Sequence, residues 1–272
     1  MTPPNEPWAV FTDMDGTLLD HHDYNYEPAK PVLAALESRG IPVHIASSKT
    51  FAESLRYYIE WGVERPMVVE NGAVVAIPVS QCDEDWGATI DGYRLRAITA
   101  DYESIRQTLI SLREANHWKV SGFGDWSAAE VAELTGLPES QAALSKQRQG
   151  TEPVLWNDSP EALTAFTAAL EAKGLRLLRG GRFLHIMGQA DKADGVATVL
   201  EHYRQRGEGS FKTLCLGDSD NDRTMLEQAD CAIVVQKTDG SRLKLRRNQG
   251  LHYSNAPSPK GWADSVRSWL DS

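Results

Sequence analysis

The sequence has few cysteines and no long apolar run. Its three cysteines, Cys82, Cys215 and Cys231, form no C-x-x-C pair, and the last two lie in apolar segments that favour a small buried side chain. No stretch approaches the roughly 20 apolar residues that a membrane-spanning helix requires. The chain begins with a polar, proline-containing segment, M-T-P-P-N-E-P-W. We therefore expect a soluble, unprocessed protein of the reducing cytoplasm with no membrane partner.

Large blocks of basic residues are also missing. The chain carries 28 Lys and Arg residues against 38 Asp and Glu residues, a formal net charge of -10, which makes nucleic acid a poor partner. A locally basic stretch, residues 237–247, is expected to be a solvated helix face. His21 and His22 have no third ligand at a useful spacing, so we reject a transition-metal site there.

The pattern of strands and helices divides the 272 residues into a core and an insert. In residues 1–80 and again in residues 189–272, apolar strands alternate with amphipathic helices, which is typical of a parallel sheet covered by helices. Residues 81–188 instead predict a small antiparallel sheet with two helices sharing one face. We expect an α/β fold with a discontinuous core domain, 1–80 and 189–272, and an inserted α+β domain, 81–188.

Local signals place several elements of the first part. Thr50, with Glu53 three residues later, predicts a capping box that starts a helix running to about Trp61. Strands are predicted at residues 41–46, 67–69 and 73–77, and the sequence Asn71-Gly72 predicts a tight turn between the last two. The alternation of strands and helices predicts a parallel sheet covered by helices, and all of these strands are assigned to the core domain.

Two carboxylates follow the first strand at a spacing of two residues. In A-V-F-T-D-M-D-G-T-L, Asp13 and Asp15 would point the same way if the strand continued through both. Two carboxylates held close together repel each other unless one is protonated or a cation lies between them. Hard oxygen ligands favour magnesium or calcium, and magnesium commonly shares a phosphate oxygen of the substrate. The sequence therefore predicts a magnesium site here.

Other polar groups follow the ends of the later core strands. Ser47 comes after the second strand, Lys192 begins a helix, and the turn G-D-S-D-N-D, with Asp218 and Asp222, follows an apolar strand. In open parallel sheets, ligands bind at the carboxyl ends of the strands. We expect these groups to meet Asp13 and Asp15 at one edge of the sheet.

This set of residues suits the hydrolysis of a phosphate monoester. A carboxylate can form an aspartyl-phosphate and divide one difficult hydrolysis into two steps, and Asp13 is the predicted nucleophile. Asp15 would protonate the leaving alcohol and then deprotonate the attacking water. Positive charge is needed because the nucleophile and the phosphate are both anions.

The predicted sources of positive charge and hydrogen bonds follow from the same reasoning. Magnesium would be held by Asp13, Asp218 and the main-chain carbonyl of Asp15, while Lys192 and Ser47 would bind phosphoryl oxygens. Asn221 and Asp222 are expected to lie behind the ligands and to orient metal waters or Lys192.

The motifs resemble those of the haloacid dehalogenase superfamily of phosphohydrolases. The matching segments, which span nearly the whole chain in that family's order, are F-T-D-M-D-G-T-L-L, S-S-K-T, E-N-G-A, K-A-D-G-V and L-G-D-S-D-N-D. The segments D-H-H-D-Y-N-Y-E-P-A, S-K-T-F-A-E, G-F-G-D, T-G-L-P…A-A-L-S-K-Q-R and T-E-P look like those of mannosyl-3-phosphoglycerate phosphatases. Ser47, Ser48 and Lys49 stand where the wider group often has T-G-R, and this departure agrees with the narrower family.

The resemblance implies a Rossmann-like core with a mobile cap, a magnesium cofactor and the compatible solute mannosylglycerate as product. A substrate with a carboxylate and a sugar requires a cationic group and hydroxyl partners, and the cap is expected to supply them. The candidate substrate-binding residues are Lys49, Asn71, Lys146, Arg148, Arg182, His185 and residues 122–125. Trp118, Trp126 and Trp156 are expected to fill the core of the inserted domain.

Three alternatives remain open at this level. The substrate could be another sugar phosphate, such as glucosyl-3-phosphoglycerate. The same aspartyl-phosphate chemistry would serve a phosphomutase, and a binding protein could keep the fold without the chemistry. The intact Asp13, Asp15, Lys192 and Asp218 argue against the binding protein. We expect a monomer or a weak homodimer.

Overall fold

The computed structural model describes residues 7–83, 85–180 and 182–272, so the first six residues of the polar segment noted above lie outside the described part. The strands are β1 (Trp8–Thr12), β2 (Val43–Ile45), β3 (Met67–Val69), β4 (Val74–Pro78), β5 (Ala88–Ile90), β6 (Tyr93–Ala97), β7 (Val120–Gly122), β8 (Thr151–Trp156), β9 (Arg176–Arg179), β10 (Leu184–Met187), β11 (Lys212–Gly217), β12 (Cys231–Gln236) and β13 (Leu251–Pro257). The helices are α1 (Lys30–Ser38), α2 (Phe51–Trp61), α3 (Tyr102–Asn116), α4 (Ala128–Thr135), α5 (Glu139–Ser145), α6 (Pro160–Glu171), α7 (Lys192–Gln205), α8 (Arg223–Gln228) and α9 (Lys260–Leu270).

The chain forms two compact units. The first contains the described part of Met1–Ser48 together with Arg65–Gly72 and Asp191–Ser272, and the second contains Lys49–Glu64 and Ala73–Ala190. The second unit is therefore larger than the insert of residues 81–188 expected from the sequence.

A parallel five-stranded sheet forms the centre of the first unit. Its strand order is β13-β12-β11-β1-β2, and every neighbouring pair is parallel. Strands β1, β11 and β12 are almost wholly buried, as expected for strands that are covered on both faces. The buried indole of Trp262 on α9 donates a hydrogen bond to the hydroxyl of Thr12 at 2.9 Å. The predicted α/β fold with a parallel core sheet is confirmed.

The second unit contains an antiparallel sheet of order β7-β8-β10-β9. Helices α3 and α6 pack on it through Ile105, Leu109, Phe166 and Leu170, which form a buried apolar core with residues of the strands. The ring of Trp156 stacks on that of Phe166 at 5.2 Å. Trp118 also packs against this core, whereas Trp126 packs beside Phe123 in a smaller cluster. The expectation of two helices on an antiparallel sheet is confirmed, and the tryptophans fill apolar cores as expected.

Strand β4 lies outside the five-stranded parallel sheet, although the sequence assigned residues 73–77 to the core domain. It pairs antiparallel with β6, which also pairs antiparallel with β5, a strand that the sequence pattern did not reveal. Residues 74–78 are continuously buried, and such a run looks the same in a parallel core strand as in any strand covered on both faces.

Helix α2 belongs to the second unit, although the sequence assigned it to the core domain. It starts with the predicted capping box, in which Thr50 and Glu53 exchange hydrogen bonds. Its buried face then packs within the second unit, where Phe51 lies 5.2 Å from the ring of Tyr93. A helical pattern shows which face is buried but not which element covers it.

The basic stretch of residues 237–247 contains no helix, so the predicted solvated helix face is wrong. Two of its three arginines bind main-chain carbonyls: Arg242 donates to that of Ser254, and Arg247 donates to those of Leu226 and Ala229. Arg247 thereby satisfies carbonyls that the end of α8 leaves without a helical partner.

The three cysteines are free thiols, and Cys215 and Cys231 are buried as predicted. Among the described residues, no helix is both long and apolar enough to cross a membrane.

Candidate active site

The candidate site lies at the carboxyl edge of the parallel sheet in the first unit. Asp13 directly follows β1, and Asp218 directly follows the adjacent strand β11. Together with Asp222 they form a group of three buried carboxylates whose oxygen atoms lie within 4.8 Å of one another. The parallel pairing of two strands thus brings together acids that are 205 residues apart in the sequence (218 minus 13).

Lys192 lies inside this acidic group. Its side chain is completely buried, and its ammonium donates to Oδ1 of Asp13 and to Oδ1 of Asp222, each at 2.6 Å. Lys192 is the first residue of α7, after Asp191, which forms a capping box with Asp194. These hydrogen bonds fix the start of the helix and therefore the direction of the lysine side chain.

Close main-chain packing at the start of α7 requires a glycine in the E-N-G-A motif. Gly72 has a left-handed φ of +88°, and a Cβ atom there would overlap the carbonyl of Asp191. Any other residue would move the helix that carries Lys192. The glycine of the motif therefore allows close main-chain packing, and through this packing it sets the position of Lys192 in the site.

Asp222 has its oxygens occupied by protein donors. Oδ1 accepts from Lys192, while Oδ2 accepts from the main-chain nitrogens of Asp218 and Ser219, each at 3.0 Å. Asp218 in turn accepts from the hydroxyls of Thr17 at 3.2 Å and Ser219 at 2.7 Å. Asp222 therefore stabilises the turn that contains Asp218, and it also holds the ammonium of Lys192 in place.

Burial and charge oppose each other in this cluster. Burial raises the pKa of Asp13, against the lowering effect of Lys192, and burial together with the charge of Asp222 raises the pKa of Asp218. Burial raises the pKa of Asp222 to about 6. Burial alone would lower the pKa of Lys192, but the charges of Asp13 and Asp222 outweigh it and raise that pKa. One buried ammonium thus faces three carboxylates, which leaves an excess of negative charge.

The remaining predicted residues of the first unit lie on neighbouring loops. Asp15 is half-buried two residues after Asp13, and Ser47 is buried after β2. The main-chain carbonyl of Ser47 accepts from the nitrogen of Asn71 at 2.9 Å, and the side chain of Asn71 accepts from Asn221 at 3.0 Å. Asn71, expected in a tight turn, has a left-handed φ of 59°. Asn71 and Asn221, predicted for different roles, therefore contact each other.

The other predicted substrate-binding residues belong to the second unit. Lys49 and Arg148 are buried, and Arg148 donates from Nε to the carbonyl of Ser145 at 2.8 Å. Lys146 donates to the carbonyls of Phe123 and Trp126, and Arg182 donates to that of Leu134. In this structure the side chains of Lys146 and Arg182 support the main chain, and their contact with substrate stays a prediction.

His185 on β10 carries a buried ring nitrogen. Its Nδ1 atom has no hydrogen-bond partner among the described residues. Burial, reinforced by the charge of Arg148, lowers the pKa of His185 to about 3. The ring is therefore uncharged at neutral pH, and it would offer a neutral hydrogen-bonding group to a ligand.

Sequence reasoning missed an ion-pair network in the second unit. Arg106 pairs with Asp125 at 2.6 Å and with the fully buried Glu152 at 2.9 Å, and Arg113 pairs with Asp125 at 2.8 Å. Although burial opposes it, the hydrogen bonds from Arg106 and the main chain lower the pKa of Asp125 to about 2. The G-F-G-D and T-E-P motifs contain the two acids, but nothing in the sequence pairs them with arginines on α3.

The fold and the site define an α/β protein whose buried acidic cluster lies at the ends of parallel strands. A family model described as haloacid dehalogenase-like hydrolase matches residues 10–245. Because this match covers most of the chain, the protein belongs to that family of hydrolases.

Several solved structures share the fold. One is a phosphatase of the haloalkanoate enzyme superfamily from Bacteroides thetaiotaomicron, with 16% identity over 99% of this chain and 98% of the other and a TM-score of 0.67. A protein from Thermotoga maritima has 16% identity, covers 96% and 97% of the two chains and has a TM-score of 0.66. A subclass IIB sugar phosphatase has 16% identity, covers 83% and 86% and has a TM-score of 0.57. At these identities the likeness shows the fold alone.

Proposed function

We propose that the protein is a magnesium-dependent phosphatase that hydrolyses mannosyl-3-phosphoglycerate to mannosylglycerate and phosphate through an aspartyl-phosphate on Asp13. The observation that carries the proposal is the position of Lys192, which is fully buried and 2.6 Å from the carboxylate of Asp13. In this arrangement the charge of Lys192 lowers the pKa of Asp13 against the effect of burial, and so favours the ionised form of a potential nucleophile.

The chemistry of the cluster fits a magnesium ion. The candidate side-chain ligands are carboxylate oxygens, which hard divalent cations prefer. The cluster carries more negative charge than Lys192 balances, so a bound cation would relieve repulsion. Asp13 and Asp218, with the main-chain carbonyl of Asp15, would hold the ion, while Asp222, which accepts from Lys192 and from two main-chain nitrogens, would keep Lys192 and the turn at Asp218 in place. When bound, the ion would neutralise charge on the phosphoryl group.

Each protein residue then has a distinct task in the two-step reaction. A carboxylate oxygen of Asp13 forms a bond to phosphorus while the ester oxygen leaves, and Asp15 gives that oxygen its proton. Asp15 next takes a proton from water, the water oxygen attacks phosphorus, and the aspartyl–oxygen bond to phosphorus breaks to release phosphate. Lys192 orients Asp13 throughout and stabilises the charge that develops.

Ser47 has a supporting task in this scheme. It lies in the same unit, two residues after the end of β2, and would donate a hydrogen bond to a phosphoryl oxygen. The buried position of Ser47 would limit its movement during both steps.

The substrate is inferred from the motifs. The segments G-F-G-D and T-E-P and the stretch ending in S-K-Q-R resemble those of mannosyl-3-phosphoglycerate phosphatases. One solved structure of similar fold is described as a sugar phosphatase, which supports a phosphorylated sugar as the substrate class. Arg148 and His185 are the proposed partners of the glycerate carboxylate and the sugar hydroxyls, in a cap formed by the second unit. The product would serve as a cytoplasmic compatible solute.

The proposal is tested by incubating the purified protein with magnesium and a panel of phosphate esters. The panel contains mannosyl-3-phosphoglycerate, glucosyl-3-phosphoglycerate and small generic esters, and free phosphate is measured with and without a chelator. We expect the highest kcat/KM with the mannosyl compound and loss of turnover in the chelator. A higher kcat/KM with the glucosyl compound would identify glucose instead of mannose as the sugar of the substrate. Formation of an isomer without free phosphate would show a phosphomutase. No reaction with any ester would contradict the proposed phosphatase function.

A further inference from the structure

The ammonium of Lys192 already forms ion pairs with carboxylates of the protein. Its ammonium lies 2.6 Å from the carboxylates of both Asp13 and Asp222, and its side chain has no exposed surface. It therefore balances part of the acidic cluster before any substrate is bound. A phosphate dianion that approaches Asp13 and Asp218 would need additional positive charge from groups that can still form new hydrogen bonds.

Lys237 reaches the same cluster from the neighbouring strand. Strand β12 lies beside β11, and Lys237 directly follows β12 at the edge where Asp218 follows β11. The ammonium nitrogen of Lys237 lies 4.0 Å from Oδ2 of Asp218, and the lysine side chain is 43% exposed. This distance is too long for a hydrogen bond, so Asp218 attracts the ammonium without accepting one of its protons.

The main chain that carries Lys237 is fixed by a closed turn. The nitrogen of Lys237 donates to the carbonyl of Ser241 at 2.9 Å, and Gly240 donates back to the carbonyl of Lys237 at 3.0 Å. Asp239 accepts from the nitrogen and the hydroxyl of Ser241, and Gln236 donates to Gly240. The main chain of Lys237 is therefore held in place, while its partly exposed ammonium can change hydrogen-bonding partners.

We propose that Lys237 is a substrate-positioning residue whose ammonium donates hydrogen bonds to the phosphoryl oxygens of the substrate. The inference rests on the proposed phosphatase function. In the free protein, Lys237 compensates part of the charge of Asp218. With a cation bound at Asp218, that attraction would weaken, and the ammonium would be free to donate a charge-assisted hydrogen bond to the phosphoryl group.

The role is tested by measuring binding of inorganic phosphate in the presence of magnesium by isothermal titration calorimetry. The variants are Lys237→Met, which removes the charge, Lys237→Arg, which keeps it, and Lys244→Met, a control at an exposed lysine of the same segment. Because one charge-assisted hydrogen bond at a partly exposed position is lost, the Kd for phosphate should rise about tenfold in Lys237→Met. Lys237→Arg should recover most of the affinity, and Lys244→Met should match the wild type.

Two further measurements separate this role from a structural one. The KM of Lys237→Met for the phosphate ester should rise by a similar factor, with little change in kcat. Its Kd for magnesium without phosphate should stay the same or fall, because a competing cation near Asp218 has been removed.

The outcomes decide the assignment. Wild-type phosphate affinity in Lys237→Met would overturn it, and so would a loss of magnesium binding as large as the loss of phosphate binding. If the wild type hydrolyses the ester and Lys237→Met binds phosphate as well as the wild type does, the role of Lys237 is rejected but the proposed function is not. A wild type that neither binds phosphate nor hydrolyses any ester would reject the proposed function together with this role.

Discussion

Replacing Lys192 with methionine would remove the buried cation and keep a side chain of similar length. The change leaves Asp13 and Asp222 without the ammonium that lies 2.6 Å from each of them. Removing one partner of a buried ion pair costs about 3–5 kcal/mol of unfolding free energy. Since domains are commonly stable by roughly 5–15 kcal/mol, the variant should still fold near neutral pH.

The pH dependence of the lost unfolding free energy shows whether uncompensated charge or lost packing is its cause. Burial raises the pKa values of Asp13, Asp218 and Asp222 above that of an ordinary aspartate, and that of Asp222 reaches about 6 even beside Lys192. A carboxyl whose folded-state pKa is raised stabilises the fold below its unfolded pKa, and this contribution is lost as the pH rises through the folded pKa. Without the ammonium, the variant should therefore lose stability with rising pH between about 4 and more than 6, and more steeply than the wild type.

Urea denaturation at several pH values between 5 and 8 measures this effect. The matched control is Lys30→Met, which removes an exposed lysine paired with Glu27 and should cost less than about 1 kcal/mol at every pH. Added magnesium should stabilise Lys192→Met more than the control, because the cluster then lacks its internal cation. An equal loss for Lys192→Met at pH 5 and pH 8 would show that lost packing, and not uncompensated charge, is the cause, and would refute the reasoning.

Three further predictions concern individual residues. Asp13→Asn should abolish phosphate release while leaving the circular dichroism spectrum unchanged, with the exposed Asp271→Asn as control; activity above a few per cent would remove Asp13 as nucleophile. Glu152→Gln should lower the unfolding free energy by about 2–3 kcal/mol in urea denaturation because Arg106 loses its buried charged partner, and an equal loss in the exposed Glu103→Gln would contradict this. Arg148→Ala should raise KM for mannosyl-3-phosphoglycerate far more than for a small generic ester, and equal changes would exclude Arg148 from specificity.

The parallel core could be predicted from the sequence because its signals are local. Short apolar strands that end in polar turns occur before Asp13, Ser47 and Asp218, and parallel strands place such ends at one edge. The proximity of Lys192 to Asp13 then follows from a helix that begins at the same edge. The chemical roles assigned to these residues stay predictions.

Other features depend on partners that the local pattern does not identify. The acids of the network around Arg106 lie 19 and 46 residues away from it, and no local periodicity joins them. The side chain of Lys237 was expected on a solvated helix, because the basic composition of residues 237–247 does not show that two of its arginines bind main-chain carbonyls of other segments. The position of α2 was missed for the same reason, since tertiary packing and not helix propensity chose its neighbours.

The division of the chain has a practical consequence for exchanging specificity between relatives. The backbone passes between the two units between residues 48 and 49, 64 and 65, 72 and 73, and 190 and 191. The short segment Arg65–Gly72, which carries Asn71 to its contact with Asn221, is thus flanked on both sides by sequence of the other unit. A chimaera that transplants only residues 81–188 would separate β4 from its native partner β6, so a functional graft needs all four junctions.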